Sequence, residues 1–450
     1  MNDTICSIAT TLGVGAISII RVSGNEALKI VSKIFSKNLV DVSTHTIHYG
    51  YIKNKEEIID EVLVSVMLKP KTYTMEDVVE INCHGGIETT NKVLELLLLN
   101  GCRLAEPGEF TKRAFLNGRI DLMQAEAVSD LINSKTDKAR KIAINGLRGN
   151  GSNLIKKLRE DLINIISNIE VNIDYPEYED IYEVTIKDIK EKVFTLKNSL
   201  TKIINEYEDA KLIQDGILTA IIGRPNVGKS SLLNRLLNEE KAIVTNIEGT
   251  TRDIVEGEIL LDGIKLNIID TAGIRKTDDV VESIGVKKSL DIINKATLTL
   301  LLLDNSKELT KEDLELLEMT KDRTSIVVIN KDDLESKLDL TKLKDRNVIY
   351  INTLSNDGIE NLKNEIKKLF NLEKLDTSDY NYITNVRQIA KIKECLVNIE
   401  DIEKGLQENT PLDMLEIDLK TIWDTLGSII GESYDEELLD NLFSKFCVGK

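Results

Sequence analysis

The chain has 450 residues, 42% of them apolar and 4% aromatic, and carries a formal net charge of −18 at pH 7. That length predicts two to four domains with ordinary cores. The charge argues against general electrostatic attraction to nucleic acid or an anionic membrane, so an RNA partner needs a local basic patch. The acidity is uneven: residues 1–118 hold 12 Lys/Arg and 14 Asp/Glu, a net of −2, which leaves −16 on the rest.

Five cysteines, Cys6, Cys83, Cys102, Cys395 and Cys447, are scattered without a C-x-x-C pair. They read as the reduced thiols of a cytoplasmic protein rather than a disulfide frame or a zinc site. The start, MNDTICSIATT, has no basic segment and no long apolar core, so no signal peptide is expected. Apolar runs such as TLTLLLLD are too short to span a bilayer, and no stable membrane insertion is expected.

In chain order, residues 1–118 mix short β-like runs (GAISIIRVSG, EVLVSVMLKP, DVVEINCHGG) with one helix-like segment, IETTNKVLELLLLNG, an α+β pattern. From Arg119, apolar residues recur at helical spacing through NLIKKLREDLINIISNIEVNID and DIKEKVFTLKNSLTKIINEYEDAKLI, with Pro176 interrupting between them. From about Gly216 to Phe370 the pattern changes. ILTAIIG, KLNIIDTAG, TLTLLLLD, SIVVINK and NVIYIN read as buried parallel strands of a doubly wound sheet, with a hairpin turning at Asp262-Gly263. Beyond Leu372 helical patterns return. The expected architecture is therefore multidomain α/β plus α: an α+β domain over 1–118, a discontinuous helical domain over 119–215 and 371–450, and an inserted doubly wound P-loop domain over 216–370.

Gly223 to Ser230 reads G-x-x-x-x-G-K-S between an apolar strand and a helix. Glycines let successive backbone N–H groups wrap phosphates, and the helix N-terminus adds partial positive charge. Lys229 reaches the β and γ phosphates and Ser230 can ligate Mg²⁺. NKDD points to guanine, whose adjacent N1–H and N2–H₂ donors suit one carboxylate, Asp333, with Asn330 and Lys331 shaping the pocket. DTAG places Asp270 toward Mg²⁺ through water and the Gly273 amide toward the γ-phosphate. TNIEGTTRD looks like a first switch segment with Thr251 as a Mg²⁺ ligand. The GTP-contacting residues are thus Asn226, Val227, Gly228, Lys229, Ser230 and Ser231; Thr245, Asn246, Ile247, Glu248, Gly249, Thr250 and Thr251; Asp270, Thr271, Ala272 and Gly273; and Asn330, Lys331 and Asp333. Ile274 stands where Ras-like GTPases place a water-orienting Gln, so another polar side chain is needed from Arg275, Asp278, Asp279, Glu282 and Ser283.

The flanks narrow the class. AEPGEFTKRAFLNGRIDLMQAEAVSDLI and the final FCVGK closely resemble the tRNA modification GTPases of the MnmE (TrmE) family, and the resemblance covers essentially the whole chain. It implies a tetrahydrofolate-binding N-terminal domain that drives homodimerisation, and a G domain inserted into a helical domain. It further implies a flavoprotein partner, MnmG (GidA), in a heterotetramer or larger complex. On that resemblance the two together would install an aminomethyl or carboxymethylaminomethyl group on carbon 5 of the wobble uridine of certain tRNAs. The resemblance implies that the one-carbon unit comes from a 5-formyl- or 5,10-methylene-tetrahydrofolate.

By motif, Arg21, Glu80, Arg119 and Lys450 fall on the family's folate positions, and Glu282 on the residue that polarises the attacking water. Cys447 matches the C-x-G-K end, where it either takes part in the uridine chemistry or only positions Lys450. Asn226 offers a neutral oxygen suited to K⁺. Thr245, Ile247 and Thr250 complete that shell in MnmE-like proteins, which predicts K⁺-stimulated hydrolysis and transient G-domain pairing. Asn352-Thr353-Leu354 departs from the usual S-A-K, which predicts weaker nucleotide binding. The competing reading is a ribosome-assembly or regulatory GTPase switch, which expects an appended basic RNA-binding domain where this chain is acidic and helical.

Overall fold

A computed structural model describes residues 3–174, 179–239, 255–270, 293–372 and 383–450. Its residues divide into two compact units, Met1–Asn133 with Ile144–Thr201 and Asn385–Lys450, and Ser134–Ala143 with Lys202–Thr384.

The first unit opens with a six-stranded sheet. Its strands are β1 (Ile5–Ile8), β2 (Ile17–Ser23), β3 (Thr46–Asn54), β4 (Glu57–Met67), β5 (Val78–His84) and β6 (Arg103–Leu104), in the order β3-β4-β5-β2-β1-β6. All neighbours pair antiparallel except β1 and β6. One face is sealed by α1 (Ala27–Ile34) and α2 (Ile87–Leu99) over a core that includes Ile20, Val22, Val64, Ile81, Val93 and Leu97. Strand alternation sends the opposite set, Arg21, Ile47, Tyr49, Leu63 and Glu80, to the open face. A third helix, α3 (Glu109–Leu116), follows.

The single helix-like segment expected in this region is therefore one of three. Helices α1 and α3 have 8 residues each, about two turns, too short for a 3.6-residue period to stand out from a strand. Helix α3 also begins well before Arg119, where the helical pattern becomes legible.

Helices α4 (Leu122–Asn133), α5 (Asp137–Leu147), α6 (Asn150–Asp174) and α7 (Glu179–Asp215) come next; Pro176 lies outside the described residues.

The second unit is built on a sheet of β7 (Ile217–Ile222), β8 (Val255–Leu261), β9 (Ile264–Asp270), β10 (Leu298–Asp304), β11 (Ser325–Asn330) and β12 (Val348–Ile351). Their order is β12-β11-β10-β7-β9-β8, with all pairs parallel except β8 with β9. The β8–β9 hairpin turns at Asp262 (φ 49°) and Gly263 (φ 78°), the pair of left-handed residues that a two-residue hairpin loop requires. Strand β10 is buried at every residue, as a central strand of a doubly wound sheet must be. Helix α8 (Lys229–Glu239) follows β7, α9 (Lys311–Met319) follows β10, and α10 (Ile359–Leu369) follows β12. A capping box in which Thr310 and Asp313 exchange hydrogen bonds starts α9.

The first unit closes with α11 (Val386–Glu408), α12 (Leu412–Ile430) and α13 (Glu436–Phe443). Asn385 caps α11 by accepting from Arg387 N–H, and Asn409 ends it in a left-handed conformation (φ 58°). Helix α12 packs on both α11 and α6. Phe443 and Phe446 join Phe115, Leu122 and Val128 in one apolar cluster, which brings residues 447–450 to the sheet.

Candidate functional site

Two sites take shape, one in each unit. In the second, the P-loop leaves β7 at Gly223 and enters α8 at Lys229. Gly228 has φ 105°, and a Cβ there would fall inside the amide of Asn330, so only glycine fits. Asn226 has φ 65°, a left-handed conformation that asparagine tolerates better than most residues. Its side chain is exposed and makes no hydrogen bond among the described residues. The Lys229 ammonium donates to the carbonyls of Gly223 (2.5 Å) and Arg224 (2.8 Å), which holds it against the loop backbone. Ser230 and Ser231 are exposed at the start of α8.

Asn330, at the end of β11, is 1% exposed and bridges two loops. Its Nδ2 donates to Val227 O at 2.8 Å, and its Oδ1 accepts from Thr353 N–H at 3.2 Å. Lys331, with φ 66°, donates to Asp304 Oδ2 at 2.6 Å. Burial alone would raise the Asp304 carboxyl, but Lys331 and Ser306 hold it below its ordinary range. Asp333 is exposed, its carboxylate open to a ligand. The Asn352-Thr353-Leu354 departure has a structural substitute for serine: Asn352 Oδ1 accepts from Leu354 N–H at 2.9 Å and Ser355 N–H at 3.4 Å. Arg224 donates to Asp313 at 2.8 Å, so it is turned away from the loop's interior.

Asp270 ends β9, and only its backbone is described. Thr245, Asn246, Ile247, Glu248, Gly249, Thr250, Thr251, Thr271, Ala272, Gly273 and Glu282 lie outside the described residues.

In the first unit, Arg21 and Glu80 sit opposite each other on β2 and β5, with Arg21 Nε donating to Glu80 Oε1 at 2.8 Å. The Arg21 guanidinium carbon lies 5.8 Å from the Tyr73 ring centre and 5.6 Å from that of Phe110. Arg119, set by the turn after α3, stacks on the same tyrosine at 4.5 Å. Residues 447–450 complete this arrangement. Gly108 N–H donates to Cys447 O (3.3 Å) and Phe110 N–H to Lys450 O (3.1 Å), so the tail satisfies two free amides at the start of α3. Gly449 O accepts from Arg21 Nη1 at 3.3 Å. A Cβ on Gly449 (φ 94°) would lie 2.5 Å from Ile8 O, so the tail can lie there only with glycine.

All four residues assigned to folate from the sequence thus gather within one unit, by side chain for Arg21, Glu80 and Arg119 and by backbone for Lys450. Sequence reading missed Tyr73 and Phe110. The one available cue was their rarity: aromatics make up 4% of the chain. Four cysteines are buried and Cys447 is exposed. Burial and nearby groups push the thiols of Cys83 and Cys395 up to about 12, which makes them poor nucleophiles.

A P-loop strand–loop–helix in a mostly parallel sheet, in a chain that also carries a run of helices and an α+β sheet, defines a multidomain P-loop GTPase. Two family models match: the MnmE helical domain over residues 122–447, and the GTP-binding protein TrmE N-terminus over residues 4–119. The chain is 51% identical to the tRNA modification GTPase MnmE of Listeria welshimeri, over 100% of this chain and 99% of the relative. It is 49% identical to that of Enterococcus faecalis (100% and 98%) and 48% identical to that of Bacillus subtilis (100% and 100%). The chain belongs to the tRNA modification GTPase MnmE family.

Proposed function

We propose that this protein is a K⁺-stimulated GTPase that works with the flavoprotein MnmG. Together they add an aminomethyl or carboxymethylaminomethyl group to carbon 5 of a tRNA wobble uridine, using a tetrahydrofolate one-carbon unit. The observation that carries the reading is the docking of residues 447–450 against Arg21, beside Glu80, Tyr73 and Arg119. A GTPase switch has no use for such a site, whereas a pteridine with an acidic tail suits it. Glu80 Oε2, without a hydrogen bond among the described residues, can accept from the pteridine's amide and amino edge, and the arginines suit the glutamyl carboxylates.

On this reading residues 1–118 bind folate, 119–215 with 371–450 form the helical domain, and 216–370 bind GTP. Lys229 and the P-loop amides hold the β and γ phosphates, and Asp333 reads guanine. Ser230 and Thr251 would hold Mg²⁺. Asn226, Thr245, Ile247 and Thr250 would hold K⁺. Of these, Ser230 offers an exposed hydroxyl and Asn226 an exposed side chain with no hydrogen bond among the described residues, donors of the kind each cation takes. Both cations, when bound, supply positive charge against the phosphate oxygens. Glu282 orients the attacking water in place of the missing glutamine.

Homodimerisation is supported by the open sheet face, where Ile17 is 62%, Ile47 68% and Tyr49 50% exposed. No helix among the described residues is long and apolar enough to cross a membrane, and a cytoplasmic location suits a tRNA substrate. Wobble-uridine analysis of tRNA from a strain lacking the protein tests the reading. Unmodified carbon 5 supports it; normal tRNA favours a ribosome-assembly switch instead.

A further inference from the structure

We propose that Arg235 is a positioning residue for guanine recognition, setting the peptide planes of the Asn352–Ser355 loop; this rests on the guanine-nucleotide reading above. Arg235 lies on α8, the helix that begins with Lys229. Six residues at about 1.5 Å each place it about 9 Å along that helix from the phosphate lysine. Its Nε donates to Thr353 O at 2.8 Å and its Nη2 to Leu354 O at 2.7 Å. Among the described residues it has no carboxylate partner, so its two-pronged donor is committed to two adjacent carbonyls.

In a trans peptide the carbonyl and the following N–H point in opposite directions. Fixing the Thr353 and Leu354 carbonyls therefore aims the N–H groups of Leu354 and Ser355 to the other side. There Asn352 Oδ1 accepts from both, at 2.9 and 3.4 Å. The Thr353 N–H meets Asn330 Oδ1 at 3.2 Å, and Asn330 returns to the P-loop through Val227 O at 2.8 Å. A closed circuit thus runs from the P-loop through Asn330, Thr353 and Arg235 back along α8, all within one compact unit.

The circuit matters because of what the loop lacks. Leu354 is apolar and 79% exposed, so no side chain at that position can meet the carbon-6 oxygen of guanine. From this loop that leaves backbone N–H groups, and those of Leu354 and Ser355 lie in the two peptide planes that Arg235 holds. Of the two N–H groups in those planes, Ser355 makes the longer bond, 3.4 Å against 2.9 Å for Leu354, so the Ser355 N–H is the one able to turn toward a base oxygen.

The test titrates the full chain, unsubstituted and as Arg235→Ala and Arg235→Lys, with GDP and with 2-aminopurine riboside 5′-diphosphate. That analogue keeps the carbon-2 amine and lacks the carbon-6 oxygen and the N1–H; the N1–H loss weakens it equally in parent and variants, so each variant is compared with the parent for the same ligand, and ADP sets the baseline. Arg235→Ala is expected to weaken GDP about tenfold and the analogue by less than about threefold, with partial recovery in Arg235→Lys. Equal losses for both ligands, or unchanged GDP affinity, would overturn the role. Equal binding of GDP and ADP by the unsubstituted chain would instead overturn the guanine reading itself, and the role with it.

Discussion

Arg21 and Glu80 are direct partners in the β2–β5 register, joined at 2.8 Å on the open face of the sheet, with the Gly449 carbonyl on the other side of the guanidinium. The pair is largely shielded, at 18% and 23% exposure, so it meets a ligand already oriented. Glu80→Ala removes the acceptor and also leaves Arg21 without its carboxylate. The expected result in calorimetry is a loss of about 2–4 kcal/mol in 5-formyltetrahydrofolate binding. GTP turnover should persist, because Asp333 and the P-loop lie in the other compact unit. Unchanged folate affinity would remove Glu80 from the site.

Gly449 gives an independent route to the same site. Gly449→Ala places a Cβ 2.5 Å from Ile8 O at a φ of 94°, and both the contact and the conformation oppose it. The tail should detach from α3, with folate affinity lowered about tenfold or more and GTP binding unaffected. Faster alkylation of Cys447 in this variant than in the parent would report the detachment directly.

Asp333 stands exposed beyond the Asn330 clasp, ready to accept from guanine. Asp333→Asn inverts the donor–acceptor pattern. GTP affinity should fall and xanthosine triphosphate affinity should rise. A variant that binds the xanthine nucleotide no better than the parent refutes the assignment.

Asn226 has two candidate reasons to be asparagine: its left-handed backbone and its free side-chain oxygen. Two substitutions separate them. Asn226→Gly keeps the backbone and removes the oxygen; Asn226→Ala removes the oxygen and strains the backbone. If K⁺ binds there, GTP turnover is fast in K⁺ and slow in Na⁺ for the parent, and both variants lose the difference. A K⁺ response retained by Asn226→Gly would assign the asparagine to backbone geometry alone.

Acid should destabilise the first unit through Glu109. Burial alone would raise its carboxyl, but hydrogen bonds from Arg103 (2.6 Å), Glu106 N–H (2.9 Å) and Arg113 (2.9 Å) hold it below the ordinary range. A carboxyl lowered in the folded state contributes stability above its unfolded value, about 4.3, and that contribution disappears as pH falls through the lowered value. Glu109→Gln should therefore be less stable than the parent at pH 7, the difference shrinking toward pH 3. A constant difference across that range in denaturant titrations would contradict the linkage.

The sequence made the nucleotide site legible because its chemistry is local: Gly228, Lys229 and the Asn330 to Asp333 run are contiguous and tightly spaced. The strands of the second sheet were equally plain, each an apolar run bounded by turn residues, and the Asp262-Gly263 hairpin announced itself by composition. The proposed folate site was different. Arg21, Glu80, Arg119 and residues 447–450 are remote in sequence and meet only through strand register and the docking of the tail on α3. Family resemblance supplied them; spacing could not. Tyr73 and Phe110 were missed because an isolated aromatic looks like any core residue. Arg235 was missed because its partners are backbone carbonyls more than a hundred residues away, and no pattern of residue types records a carbonyl.

The most direct measurement reconstitutes the reaction from the full chain, the flavoprotein partner, tRNA, GTP in K⁺ buffer and 5,10-methylenetetrahydrofolate, with mass analysis of the wobble uridine. Modification at carbon 5 should appear only when GTP and folate are both present, and Glu80→Ala and Asp333→Asn should each abolish it while leaving the other ligand's binding intact. A wobble uridine left unmodified by the complete mixture, or modified equally without folate, would contradict the account.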